Sequence, residues 1–261
     1  IVCASAGNHA QGVAYSANIL NIESDIFLPN TTPKQKINKI KNISNRGIHI
    51  TGSNFNECLE EALLFSEKEN KTFIHPYNDI NIIKGQGTIG IELFDNENNI
   101  TPNIIISAIG GGGLISGLIL HRNENNLLSK YIGVEPKGCP SMQASIELNK
   151  IQSIIPEDNF VDGATVGKVG DITFDICKSQ LDFIYNVENG KLCETMIELY
   201  QDDGIITEPA GALSVSVLDK IDPDLIYGKN VICILSGGNN DITRYPEILD
   251  KCLQYQGLKV F

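Results

Sequence analysis

The stretch that most constrains the fold is IIISAIGGGGLISGLIL, residues 104–120. It is apolar enough to suggest a membrane-spanning helix. However, each of its four adjacent glycines costs a helix about 1 kcal/mol, and the run is shorter than the ~20 residues that a span needs. The stretch therefore predicts a buried strand, a glycine turn and a helix, in that order.

The same order of strand and helix recurs along the chain. YIGVEP, FIYNV and NVICILS are near-continuous apolar runs, typical of parallel strands that are covered on both faces. Nearer the start, IHIT alternates like a strand and follows an amphipathic helix with Thr32 as its N-cap and Ile37 and Ile40 on one face. We predict an α/β chain with a small domain (1–76), a large parallel-sheet domain (77–249) and a connector (250–261).

Charge and residue types exclude several classes of function. The formal net charge of -12 repels phosphate backbones and anionic lipid, so we expect neither nucleic acid nor a membrane as a partner. The seven cysteines include no C-x-x-C pair and the four histidines show no metal-ligand spacing, so we expect no disulfide framework and no metal site. This cysteine usage indicates a reducing compartment, which is the cytoplasm, or an organelle if the protein is eukaryotic.

The glycine turn is a candidate phosphate site. Gly110, Gly111, Gly112 and Gly113 can turn their backbone N–H groups inward, and the helix that begins near Leu114 adds positive partial charge at its amino terminus. The turn matches neither the P-loop, which needs a lysine after the glycines, nor the G-x-G-x-x-G dinucleotide spacing. We predict an anion cradle made of backbone groups, with close packing as the alternative reason for the glycines.

Two further turns carry hydrogen-bonding groups where ligands commonly bind. Ser236 in LSGGN stands at the carboxyl end of a predicted strand, although SGGN also occurs in ordinary turns. At the start of the chain, SAGNH precedes a predicted helix and offers hydroxyl and backbone donors that suit a carboxylate. The residues of this second turn are Ser5, Ala6, Gly7, Asn8 and His9.

Together these turns resemble the site of the fold-type II pyridoxal-phosphate enzymes. That fold is tryptophan synthase β-like, with two parallel-sheet α/β domains and the cofactor cleft between them. The segments ASAGNHAQGVA, TTPKQKI, GQGTIGIEL, GGGGLISG, GVEP, VDGATVGKVGDITF, EPAGALS and LSGGN follow in the family's order over nearly the whole chain. Within the fold, the chain is similar to the serine/threonine dehydratase family, and most of all to its threonine dehydratases.

The resemblance implies an activity and a role for each turn. It implies deamination of L-threonine to 2-oxobutanoate and ammonia, a step of isoleucine biosynthesis, by a homo-oligomer (dimer or tetramer) with pyridoxal 5'-phosphate (PLP) as cofactor. The SAGNH turn then holds the substrate carboxylate, and Asn8 also reaches the 3-hydroxyl of the cofactor ring. The glycine turn and the Leu114 amide hold the cofactor phosphate, Ser236 faces the pyridine nitrogen, and Glu208 of EPAGA lies near the ring.

Two departures bear on the choice among relatives. Serine racemases carry a second serine where this chain has Ala6, and an alanine cannot move a proton. Serine racemase or L-serine dehydratase is the alternative enzyme, and Ala6 is the main argument against it. The divalent-metal site of the racemases keeps Glu135 here but has Ser141 in place of an aspartate, which leaves too few carboxylates for a hard cation.

The family's Schiff-base lysine lies in an S-x-K-x-R-G-A motif upstream of SAGNH, which this sequence does not contain. We interpret six of the lysines that it does contain as ordinary solvated side chains. They are Lys34, Lys36, Lys39, Lys41, Lys84 and Lys168. We therefore expect a fragment of a longer enzyme, inactive by itself and weak in PLP binding, whose last helix leads toward a regulatory domain. A non-catalytic ligand-binding homologue is the alternative from another class.

Overall fold

The computed structural model of the chain describes residues 1–5, 7–32, 34–44, 47–53, 55–95 and 100–260. They form two compact units, Ile1–Ile82 and Ile83–Phe261, here called unit 1 and unit 2. The division falls within a helix, whereas the boundary predicted after residue 76 lies just before that helix. Both units are α/β with parallel sheets, as the sequence predicts.

Unit 1 alternates strands and helices. In chain order its elements are β1 (Val2–Ala4), α1 (Asn8–Ile19), β2 (Asp25–Leu28), α2 (Lys34–Ile43), β3 (Gly47–Ile50) and α3 (Phe55–Lys68). The strands pair in parallel in the order β1-β2-β3. On β2, Ile26 and Leu28 pack with residues of α1 and α2, while Phe27 packs with residues of α3, so both faces of this strand are buried.

The predicted helix near residue 33 is present as α2. Ile37 and Ile40 are buried, as their spacing predicts. Pro33 lies outside the described residues. The hydroxyl of Thr32 is buried and has no hydrogen-bond partner in the described part of the chain, so the predicted capping bond is wrong.

A buried carboxylate joins β2 and β3 to the segment after α3. Asp25 accepts hydrogen bonds from Lys71 Nζ at 2.5 Å and from His49 Nε2 at 3.0 Å. Burial raises the pKa of the Asp25 carboxyl, but the hydrogen bonds from His49 and Lys71 and the charge of Lys71 outweigh burial, and the net result is a lowered pKa. Asp25 is therefore held ionised in the folded unit.

Unit 2 is built on a larger parallel sheet. Its elements are α4 (Ile80–Phe94, which begins in unit 1), β4 (Ile104–Ala108), α5 (Gly113–Glu124), β5 (Lys130–Pro136), α6 (Ser141–Glu147), α7 (Asp171–Gln180), β6 (Phe183–Val187), α8 (Asn189–Asp203), α9 (Pro209–Ser216), α10 (Pro223–Ile226), β7 (Val231–Cys233) and α11 (Tyr245–Tyr255). The strand order is β6-β5-β4-β7.

The central strand β4 begins with three isoleucines because both of its faces are buried. Ile104 and Ile106 pack on one face with residues of α8, α9 and α11, and Ile105 packs on the other with residues of α5 and α7. All three side chains are at most 1% exposed. Burying each contributes about 1.5–3 kcal/mol, so a polar residue without a hydrogen-bond partner would be costly at any of these three positions.

The carboxyl-terminal helix belongs to the core of unit 2. Ile248 and Cys252 of α11 are buried in the same cluster as Ile104. The predicted connector 250–261 therefore begins in the middle of a packed helix. Among the described residues, none of the helices combines the length and the hydropathy that a membrane crossing requires.

Candidate active site

Two of the predicted turns lie at one edge of the unit 2 sheet. The chain passes from β4 to β5 to β6 in one direction, and β7 then pairs on the other side of β4. Such a reversal is a topological switch point, and ligands of open α/β sheets bind beyond the carboxyl ends of the strands there. Gly110 follows β4 and Ser236 follows β7, so both turns stand at the switch point.

The glycine turn leads directly into α5. Gly112 is the N-cap with φ +92°, in the left-handed region that only glycine adopts easily, and no side chain caps the helix. The first N–H groups of a helix have no partner within it. Gly111, Gly112 and Gly113 are buried, so water reaches these donors poorly. Buried donors without a capping side chain, at the positive end of a 12-residue helix, suit an anionic ligand.

Neighbouring side chains hold the glycine turn in place. Thr173 Oγ1 on α7 donates to the Gly111 carbonyl at 2.7 Å. A Cβ added to Gly112 would lie 2.9 Å from Met142 Cε and 2.9 Å from Thr173 Cβ. The turn therefore has no room for a side chain at this position. Both the backbone conformation and the packing require a glycine there.

Glu208 lies beside the second turn. Its side chain is buried, and its backbone N–H donates to the Gly237 carbonyl at 3.0 Å. A Cβ added to Gly237 would lie 2.6 Å from Glu208 Oε1, and one added to Gly211 would lie 2.2 Å from the Gly237 carbonyl oxygen. The segments EPAGA and SGGN are therefore in direct contact. This close approach is possible because each segment has a glycine at the point of contact. Ser236, next to Gly237, is exposed.

Polar atoms without partners flank these two segments. The hydroxyl of Thr207, next to Glu208, is buried, and so are both side-chain polar atoms of Asn240, which follows the SGGN turn. None of these atoms has a hydrogen-bond partner among the described residues. Unpartnered buried polar groups are rare in folded proteins and commonly mark a place where a ligand or water completes the bonding.

The SAGNH turn of unit 1 also precedes an uncapped helix. Ser5 is buried, and its Oγ accepts a hydrogen bond from the Gly7 N–H at 3.1 Å. Gly7 is the N-cap of α1 and no side chain caps this helix, while Asn8, its first residue, is exposed. Ala6 lies outside the described residues. The start of α1 therefore offers donors to an anion, in the way that the start of α5 does.

His9 has a partner of its own. Its Nε2 lies 2.9 Å from the Ile74 carbonyl oxygen, and because a carbonyl can only accept, this nitrogen carries the proton. Burial lowers the pKa of His9, although the bond to the Ile74 carbonyl opposes that shift. The ring is therefore neutral at pH 7, and its Nε2 ties α1 to the segment near residue 74.

The sequence analysis missed one cation beside this turn. Lys36 Nζ on α2 lies 3.7 Å from where a Cβ on Gly7 would be, and the side chain is half-buried. The pattern of isoleucines had indicated an ordinary solvated lysine. The spacing of apolar residues shows which side of a helix is buried, but it does not show which other element lies beside that side. The sequence alone therefore could not distinguish Lys36, which lies beside Gly7, from Lys39.

Glu135 and Ser141, the two positions compared above with the metal site of the racemases, make other contacts in this chain. Glu135 is fully buried, and its carboxylate accepts backbone hydrogen bonds from Met142 at 2.7 Å and from Gln143 at 2.9 Å. Ser141 Oγ donates to the Val166 carbonyl at 2.7 Å. Burial raises the pKa of Glu135 to about 7, against the opposing effect of the backbone bonds from Met142 and Gln143 and of hydrogen bonding with Ser141. The described residues contain no group of three or more metal-ligating side chains close together.

These features define the class of the protein. Unit 2 is a parallel α/β domain with a buried glycine turn and an uncapped helix start at its switch point, and these residues fit a phosphorylated cofactor. The family described as pyridoxal-phosphate dependent enzyme matches residues 1–237, and the chain belongs to this family.

Named relatives are similar over nearly the whole chain. The biosynthetic L-threonine dehydratase of Staphylococcus aureus is 46% identical over 264 aligned positions, which cover 99% of this chain and 62% of the relative. The enzyme of the same description from Staphylococcus saprophyticus is also 46% identical, again over 62% of its length. The chain thus spans about 62% of the length of these curated relatives.

Solved structures give the same result for the fold. The processed form of threonine deaminase isoform 2 from Solanum lycopersicum superposes with a TM-score of 0.87 at 32% identity, over 96% of this chain and 73% of that one. Maize serine racemase superposes with a TM-score of 0.86 at 27% identity, over 98% of this chain and 78% of that one. The fold-type II assignment made from the sequence is confirmed.

Proposed function

We propose that the full-length protein is a PLP-dependent threonine dehydratase that converts L-threonine to 2-oxobutanoate and ammonia. The names of the relatives at 46% identity support this activity. The geometry that carries the proposal is the buried, uncapped start of α5 behind the glycine turn. Because its donors are backbone N–H groups, this site favours a phosphate without needing a lysine.

The chain's own residues have proposed roles toward the cofactor. The N–H groups of Gly110, Gly111, Gly112, Gly113 and Leu114 hold the phosphate, Ser236 bonds the ring nitrogen, Glu208 lies beside the ring, and Asn8 bonds the 3-hydroxyl. When bound, PLP supplies an electron sink that makes the α-proton of an amino acid removable. Ser236 is a neutral partner, whereas a carboxylate would hold a proton on the ring nitrogen. A neutral partner leaves the ring a weaker electron sink, which favours prompt loss of the β-hydroxyl over a long-lived carbanion.

The SAGNH turn has a proposed role toward the substrate. Ser5, Ala6, Gly7, Asn8 and His9 supply the turn, whose backbone donors at the start of α1 bind the substrate carboxylate. Lys36 adds a positive charge beside Gly7 and strengthens the binding of an anion there. Neutral His9 fixes the turn through its bond to Ile74, so it orients donors and takes no part in proton transfer.

A serine racemase or L-serine dehydratase is the second candidate. The TM-score of 0.86 with maize serine racemase favours it. Against racemisation stands Ala6, because that reaction needs a second acid-base group on the face of the substrate opposite the lysine, and an alanine has none.

One assay separates the candidates. The full-length protein is given PLP with L-threonine or L-serine, and 2-oxobutanoate, pyruvate and D-serine are each quantified. We expect kcat/KM to be higher for L-threonine than for L-serine, with no D-serine. Faster release of D-serine or pyruvate than of 2-oxobutanoate would overturn the choice of substrate. A protein that binds an amino acid without turnover would be the non-catalytic homologue.

Assembly and location complete the proposal. We propose a cytoplasmic homo-oligomer that acts on a free amino acid, as its negative charge and its resemblance to oligomeric enzymes suggest. Light scattering of the purified full-length protein during gel filtration measures its mass directly. A mass equal to that of one chain would contradict the homo-oligomer.

A further inference from the structure

A short segment of unit 2, residues 160–164, lies against the glycine turn and is here called the wall segment. A Cβ added to Gly110 would lie 3.1 Å from Ala164 Cα and 3.3 Å from the Gly163 carbonyl oxygen. One added to Gly163 would lie 2.9 Å from Ala210 Cβ and 3.4 Å from Glu208 Oε1. The wall segment therefore touches both the turn after β4 and the segment that carries Glu208.

One arginine holds the wall segment by three contacts. Arg244 Nη2 donates to the Phe160 carbonyl at 2.7 Å, and Nη1 lies 3.6 Å from Asp162 Oδ1. The guanidinium also lies 5.0 Å from the centroid of the Phe160 ring, which is buried. A planar guanidinium can make all three contacts at once, and a lysine cannot.

Arg244 follows the SGGN turn closely in the chain. It ends a short 3-10 helix, Ile242–Arg244, whose start is capped by the Asp241 side chain accepting from the Thr243 N–H at 2.9 Å. The strand-end turn, the capped helix and the arginine are thus continuous in the chain. Through Arg244, the segment after β7 is tied to the wall segment, which in turn contacts Gly110 after β4.

We propose that Arg244 is a positioning residue for the cofactor site. It fixes the wall segment so that Gly110 and Glu208 keep the separation that a bound PLP requires. Arg244 itself does not touch the cofactor in this proposal. The inference rests on the proposed function, because it assumes that PLP occupies the switch point.

The chain offers a matched control for a merely structural role. Arg122 on α5 makes the same three kinds of contact: to Asp182 Oδ2 at 3.1 Å, to the Gln180 carbonyl at 2.7 Å, and to the Tyr131 ring, with its guanidinium carbon 4.9 Å from the centroid. Arg122 lies in the last turn of α5, whereas the glycine turn is at the start of that helix. Replacing either arginine removes similar contacts, but only the contacts of Arg244 lie beside the candidate site.

The experiment compares Arg244→Gln and Arg122→Gln in the full-length protein. Thermal unfolding measures the structural effect, and fluorescence titration with PLP gives the dissociation constant. We expect both variants to lower Tm by similar amounts. Only Arg244→Gln should weaken PLP binding, by about tenfold, and shift the phosphorus NMR resonance of the bound cofactor. Equal PLP affinities for the two variants would overturn the proposal.

A second variant keeps the proposal falsifiable if Arg244→Gln does not fold. Asp162→Asn removes one contact of Arg244 and leaves its bond to the Phe160 carbonyl and its ring contact. We expect it to weaken PLP binding about threefold, and an unchanged dissociation constant would overturn the proposal. If the wild-type protein binds no PLP, the proposed function fails and this inference fails with it. If the wild type binds and the variants bind equally, only the role of Arg244 fails.

Discussion

Replacing Gly112 by alanine is a direct test of the glycine turn. The residue has φ +92°, and a new methyl group would lie 2.9 Å from Met142 Cε and 2.9 Å from Thr173 Cβ. Two separate penalties follow from this geometry: the strain of a left-handed L-residue and the overlap with packed neighbours.

The magnitude of each penalty can be estimated separately. A non-glycine residue in the left-handed region costs about 1–2 kcal/mol. Overpacking a buried site by one methyl group costs about 1–3 kcal/mol more. Gly112→Ala should therefore lower the free energy of unfolding by about 2–5 kcal/mol. Gly204→Ala is the matched control, since Gly204 has φ +67° with nothing within 4 Å of its added Cβ, and it should lose only the strain.

Urea unfolding of both variants, followed by PLP titration, separates stability from binding. We expect Gly204→Ala to bind PLP as the wild type does. Gly112→Ala should bind at least tenfold more weakly, because relieving the overlap displaces the N–H groups at the start of α5. Equal losses of stability in the two variants would refute the packing argument. An unchanged PLP affinity in Gly112→Ala would refute the phosphate cradle.

Three further substitutions test the candidate site and the residues that support the fold around it. Lys36→Gln should raise KM for L-threonine about tenfold with a smaller change in kcat, and Lys41→Gln on the same helix should change neither. Thr173→Val removes the donor to the glycine turn and should weaken PLP binding about fivefold, whereas Ser129→Ala, which removes a buried hydroxyl that bonds another carbonyl, should not. Asp25→Asn should lower the free energy of unfolding by about 2 kcal/mol at neutral pH. Because the pKa of Asp25 is lowered in the folded protein, that difference should be fully present above the ordinary value of 3.8 and should be lost as the pH falls through the lower folded-state value; equal stability at neutral pH would contradict this.

The sequence predicted the elements whose pattern is local. β4, β5 and β6 stand where their apolar runs predicted them, and α2 follows its amphipathic spacing. The run NVICILS predicted a strand through Ser236, but β7 ends at Cys233 because the backbone beyond Ile234 leaves the pairing with β4. The apolar residues of β7 continue past its last hydrogen bond to β4, so composition alone overestimates the length of such a strand.

Features that depend on distant contacts could not be predicted in this way. The half-buried Lys36 beside Gly7 depends on how α1 and α2 pack. The bonds that the Met142 and Gln143 N–H groups donate at the start of α6 depend on the Glu135 carboxylate, which lies seven positions before Met142 in the chain. In both cases the type of residue is compatible with several roles. Only the residues that lie next to it in the folded chain show which role it has. The three turns were predicted from their own residues, whereas their proposed roles come from the family resemblance, because a family pattern reflects contacts in space that spacing along the chain does not show.

The arrangement of unit 2 explains why the candidate site is spread so widely along the chain. Parallel strands place their carboxyl ends at one edge, so the turns that follow β4 and β7 lie at the same edge although 126 positions separate Gly110 from Ser236 (236 minus 110). Backbone N–H groups supply the proposed phosphate contacts, so the proposed site should tolerate changes in side-chain charge but not a Cβ added to Gly112. Substitutions of surface charges should therefore leave PLP affinity intact, and the sensitive positions are the glycines and the side chains, such as Thr173, that hold the turn in place.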